Sequence, residues 1–123
     1  MSEIHRYVGF AVVGLFAIGW VWGVGAYVLR RGPGEAFWRW LTVAQVVAIV
    51  EALIGVILLV LGDRPPTVLH YVYGFGPLVV LVIAHALARD ASFRARPWLP
   101  FALAAFICFG LTLRALMTGL GTA

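Results

Sequence analysis

The chain has 123 residues, 63% of them hydrophobic and only 11% charged, and its mean hydropathy is +1.02. Soluble domains carry about 25% charged residues, so an ordinary soluble domain and a disordered chain are excluded; a single cysteine, Cys108, excludes a disulfide scaffold. All nine basic residues are arginine and the net charge is +4, but the arginines sit at the ends of apolar runs, which points to membrane orientation rather than nucleic acid.

A bilayer core of about 30 Å needs about 20 apolar helical residues. Four stretches meet that length, at about 5–30, 37–62, 67–89 and 98–118. The first is longer than the apolar core of a secretory signal and only Arg6 precedes it as a basic residue, so it reads as a retained helix. The connections are short and rich in helix breakers: Arg30-Arg31-Gly32-Pro33-Gly34, then Gly62-Asp63-Arg64-Pro65-Pro66, then the stretch from Arg89 to Pro97. Short links force antiparallel neighbours. The expected fold is an all-α, integral-membrane, up-down four-helix bundle forming one transmembrane domain over 1–123, with no room for a soluble catalytic domain.

Arg30, Arg31, Arg39, Arg89, Arg94 and Arg96 fall at one end of such a bundle, and Arg6, Arg64 and Arg114 at the other. The positive-inside rule makes the first end cytoplasmic and puts both termini outside, in a bacterial cytoplasmic membrane. Trp38, Trp40 and Trp98 then form an inner belt, with Tyr7, Tyr71 and Tyr73 towards the outer face. His5-x-x-x-Gly9 and His70-x-x-x-Gly74 open the first and third helices as a faint repeat, too short to mark a duplication.

Ionisable groups inside a membrane are costly, by about 2.5–3.5 kcal/mol each on insertion scales, and call for a partner or a purpose. His5, Gly9, Val12, Phe16, Gly19 and Gly23 share one helical stripe; His70, Gly74, Pro77, Leu78 and Leu81 share a second; Ala44, Ala48, Glu51, Ala52 and Gly55 form a third, mostly of small residues. Small residues mark helix contacts in membranes, so Glu51 is expected to face the interior. Up-down topology puts His5 and His70 at the same end. Two imidazoles at one depth can supply both axial ligands of a haem b. Gly9 and Gly74, one turn from each histidine, would leave room for the macrocycle. Arg64 or Arg114 could pair with the propionates, and Met117 is a substitute ligand. The plainer alternative is that both histidines are wetted at the interface.

Glu51 lies about 16 Å along the helix from Gly62, a depth that argues against contact with His70 or Arg114. It could carry a proton, bind a quinone, or simply bond across helices. His85, about 22 Å from His70 along the same helix, has no second histidine at its depth. It could bond to Gln45, be solvated at the interface, or hold the magnesium of a chlorophyll-type pigment. Pro77 frees the carbonyl of Tyr73 and should loosen the third helix below His70. There is no zinc spacing, phosphate loop or nucleophile elbow.

The run from Gly62 to Gly74, read as Arg-Pro-Pro, Leu-His and Tyr-Gly, resembles a pattern of small four-helix bacterial membrane proteins, and Leu113 to Gly119 is similar to the same group. The resemblance implies a fold and a membrane address, and makes His70 and Arg114 candidates for a shared site; it carries over no activity. The layout is also similar to membrane b-type cytochromes. Those with two haems usually carry paired histidines on each of two helices, whereas this chain has one cross-helix pair.

The leading expectation is a b-type cytochrome-like electron carrier, with one haem near the outer face and a quinone pool or partner complex as its redox partner. The alternative is a non-catalytic accessory or assembly subunit of a larger respiratory or photosynthetic complex. A self-assembling transporter using Glu51 is a third reading. An electron carrier or accessory subunit is expected before a stand-alone enzyme.

Overall fold

The computed structural model describes residues 3–62, 64–65 and 67–120. Among them are four α-helices, α1 (Glu3–Val28), α2 (Glu35–Val60), α3 (Leu69–Ala88) and α4 (Leu99–Leu120), with a 3-10 turn at Ala91–Phe93 and no strand. Each helix lies within about two residues of its expected bounds, and each is long and apolar enough to cross a membrane. The all-α bundle is therefore as the sequence predicts. Asp63 and Pro66, from the Arg-Pro-Pro connection, lie outside the described residues.

In lipid, apolar side chains gain little by leaving the solvent, so helices associate through close packing of small residues. Helix α4 is the hub: it packs on α1 and α3, α2 packs on α1, and α2 and α3 touch only slightly. The buried face of α4 explains this, because Ala102, Ala104, Ala105, Cys108 and Thr112 allow two neighbours to approach. Gly23 of α1 is so close to Ala102 that a Cβ there would stand 2.5 Å from the alanine Cβ. Gly19 faces Leu41 and Ala105, and Gly76 of α3 faces Leu111. Pro77 is buried and α3 runs through it without interruption; its carbonyl receives the Cys108 thiol at 3.6 Å.

Trp40 and Trp98, placed in an inner belt by the sequence, are packing residues. The Trp40 indole donates to the Leu15 carbonyl at 2.8 Å, and Trp98 is buried.

The helix ends follow the backbone rules. After α1 the Arg31 amide bonds to Ala26 O and the Arg30 amide to Tyr27 O, a Schellman closure with Arg30 in the left-handed position at φ 56. Glycine occupies such a position without steric cost. Arg30→Gly should therefore stabilise the bundle by about 1 kcal/mol, seen as a higher melting temperature in detergent. Gly62 fills the equivalent position after α2, at φ 94. Asp90 begins the α3–α4 turn and accepts from the Ser92 amide at 2.9 Å. That bond holds its carboxyl below the ordinary carboxylate range.

Candidate functional site

His70 is the second residue of α3. Its Nδ1 lies 2.8 Å from Ala115 O and 3.2 Å from Thr118 Oγ1 on α4. A backbone carbonyl can only accept, so His70 donates from Nδ1 and its Nε2 carries the lone pair. Thr118 is fully buried and its hydroxyl also donates to Ala115 O at 3.0 Å. The imidazole is thus pinned to the final turns of α4, as the close α3–α4 contact requires.

His5 is buried in the first turn of α1. Its Nδ1 lies 2.8 Å from Glu51 Oε1 on α2, an ion-pair geometry with both side chains largely shielded. Glu51 makes no bond to His70 or Arg114 among the described residues, but it stands level with His5 rather than below it. Helix α2 runs nine residues past Glu51, about 13 Å, beyond the level of His5. The stripe assignment did place Glu51 inward, and the neighbouring Gly55 takes the edge of the His5 ring, since a Cβ there would lie 3.4 Å from His5 Cε1.

The two imidazole rings stand 6.0 Å apart between centroids, at 84° to each other. Neither Nε2 takes part in a hydrogen bond among the described residues. A cavity of about 220 Å³ borders both rings. His5, Glu51, His70 and Arg64 are among its polar lining, and Gly74 and Pro77 among its other walls. It lies where α2 and α3 fail to close on each other.

The remaining predicted residues divide. Gly74 lines the cavity with open space where a Cβ would be, as a ligand cradle needs; Gly9 does not serve that way, because Glu51 Oε2 occupies the space, 2.8 Å from a Cβ built there. Arg64 lines the cavity and donates from Nη1 to Leu59 O at 2.8 Å. Arg114 is not brought to it: the side chain is exposed and its guanidinium lies 5.5 Å from the centre of the Tyr73 ring. Met117 is not among the lining residues. His85 sits at the far end of α3, bonded through Nδ1 to Leu81 O at 2.7 Å and edge-on to Phe101 at 4.8 Å; its partner is its own helix, not Gln45. No group of three or more histidine, cysteine or acidic side chains suited to a metal ion occurs among the described residues.

Thr118 and the Ala115 carbonyl were missed by sequence reasoning. The available signal was the i, i+3 spacing of Ala115 and Thr118 on the face of α4 that carries Thr112. Gly9→Ala should push the Glu51 carboxylate off His5 while leaving α1 helical. The check is the His5 Nδ1–H resonance in the NMR spectrum of nitrogen-labelled protein, expected to shift towards a weaker hydrogen bond. No known protein family, curated protein or solved structure matches the chain.

Proposed function

We propose that the chain is a small membrane electron carrier of the b-type cytochrome kind, holding one haem through Nε2 of His5 and His70. The observation that carries this reading is the hydrogen bond that each imidazole makes through Nδ1. Metal-ligating histidines nearly always donate their other ring N–H to a carboxylate or a backbone carbonyl, which fixes tautomer and ring direction. Here one histidine has the carboxylate of Glu51 and the other the carbonyl of Ala115. The two rings are also neighbours, with centres 6.0 Å apart, near enough for both to approach one metal ion bound at about 2.0–2.1 Å from each nitrogen. A bound haem supplies one-electron redox chemistry.

The chain's own contribution is ligand choice, orientation and exclusion of water. Glu51 strengthens His5 as a donor, and Thr118 and Ala115 hold His70 in line. Arg64, on the cavity wall, is the candidate for a propionate. The cavity of about 220 Å³ is below the roughly 300–1,000 Å³ of ordinary ligand pockets. To admit a haem, α2 and α3 would have to separate further. Electrons would pass to a quinone pool or a partner complex. The same proposal takes in a bacterial cytoplasmic membrane, both termini outside, and membership of the group of small four-helix bacterial membrane proteins.

The test is a reduced-minus-oxidised absorption spectrum of the protein purified from haem-replete cells. A Soret and alpha band at one haem per chain supports the proposal. A featureless spectrum, from replete cells and after haem addition, overturns it, and co-purification with a larger complex would then favour the accessory-subunit reading. Gly74→Leu starts its added side chain in open space on the cavity wall, so it should fold normally and, by filling that space, lower the haem content per chain.

A further inference from the structure

We infer that the end of the bundle carrying the α1–α2 and α3–α4 connections is a binding surface for anionic phospholipid headgroups. The charge distribution is the starting point. Six arginines (30, 31, 39, 89, 94 and 96) and two acids (Glu35 and Asp90) lie at this end, while three arginines and three acids lie in the other half of the sequence layout. The whole net charge of +4 therefore sits at one end.

The two connections form one surface. The Arg96 guanidinium, from the α3–α4 connection, lies 5.8 Å from the centre of the Tyr27 ring near the end of α1. The acids do little to neutralise it. Glu35 is held by Arg39 at 3.6 Å, and Asp90 is turned to the Ser92 amide. Arg30, Arg31, Arg89 and Arg94 are exposed and have no acidic partner among the described residues. Arg30 keeps its charge in a left-handed backbone position that favours glycine.

Position selects the ligand. Arg89 directly follows α3 and Arg30 comes two residues after α1, so these guanidinium groups stand at the headgroup level of a membrane that the helices cross. Guanidinium binds phosphate oxygens in bidentate fashion, and basic clusters beside membrane helices attract acidic lipid. The connections are too short to build a broad surface for a folded protein, which makes lipid the better-matched occupant than an acidic protein.

The experiment uses the full chain in phosphatidylcholine vesicles containing a minor fraction of brominated phosphatidylglycerol, or the same fraction of brominated phosphatidylcholine. Trp22, Trp38 and Trp98 lie towards this end and report nearby bromine by loss of fluorescence. Quenching should be stronger with the anionic lipid and fall with added salt. Each of Arg89→Gln and Arg94→Gln should lower the anionic preference by about fivefold, until it reaches the neutral-lipid level. The double variant Arg6→Gln/Arg114→Gln, at the other end, should leave it unchanged. Equal quenching by the two lipids in the wild-type protein overturns the inference. So does a preference that survives Arg89→Gln/Arg94→Gln with helicity intact, or one that falls equally with the opposite-end variants.

Discussion

The His70→Ala protein should fold, insert and carry no haem spectrum. Removing a group that merely supports a ligand costs about 10–100-fold in metal affinity, so removing an axial ligand should lower affinity by more than about 100-fold. The substitution also deletes the bonds to Ala115 O and Thr118 Oγ1, and a loss of haem could reflect a loosened α3–α4 contact. Thr118→Val separates the two effects: it removes the weaker bond, at 3.2 Å, and keeps the carbonyl that fixes the tautomer. That variant should retain most of the haem. His5→Ala should match His70→Ala in spectrum, while Glu51→Leu, which strips the acceptor from His5, should weaken binding by about 10–100-fold. Haem content per chain in purified protein, with circular dichroism as the folding control, measures all four.

Gly23→Ala should be the most damaging single methyl in the bundle. The added carbon would stand 2.5 Å from Ala102 Cβ and 3.3 Å from its Cα, and neither has a rotamer by which to retreat. The α1 and α4 backbones must part, at a cost of about 1–3 kcal/mol for an overpacked core. Gly25→Ala, one turn-half away with nothing within 4 Å of its Cβ, should be neutral or mildly stabilising, since alanine is the better helix former by about 1 kcal/mol. Thermal melts of the two variants in the same detergent compare them directly.

The architecture was legible because each of its causes is local. Four apolar runs of membrane length, separated by Gly-Pro-Arg connections, leave few alternatives to an up-down bundle. The glycine stripe of α1 and the small-residue stripe of α2 likewise follow from helical period alone, and these faces are the ones that pack. What the residues could not give is the axial stagger between helices. Glu51 is far along α2 from its connection, yet level with His5, because α2 runs on for nine residues past it. The same stagger puts Glu51 into the space beside Gly9, where the sequence reading expected a macrocycle. Arg114 illustrates a second limit. The pattern that groups it with His70 says nothing of helical face, and in the folded chain it turns outward onto Tyr73. The partners of His70 on α4 depend on which helices neighbour each other, and that order, with α4 between α1 and α3, is a property of the whole packing.

The most direct test is electron paramagnetic resonance of the oxidised, haem-loaded protein in frozen solution. Two histidine ligands would leave ferric iron low-spin. The account predicts a low-spin signal in the wild-type protein and its loss on substitution of either His5 or His70. A high-spin haem signal in the wild-type protein, or a low-spin signal that persists without either histidine, would contradict it.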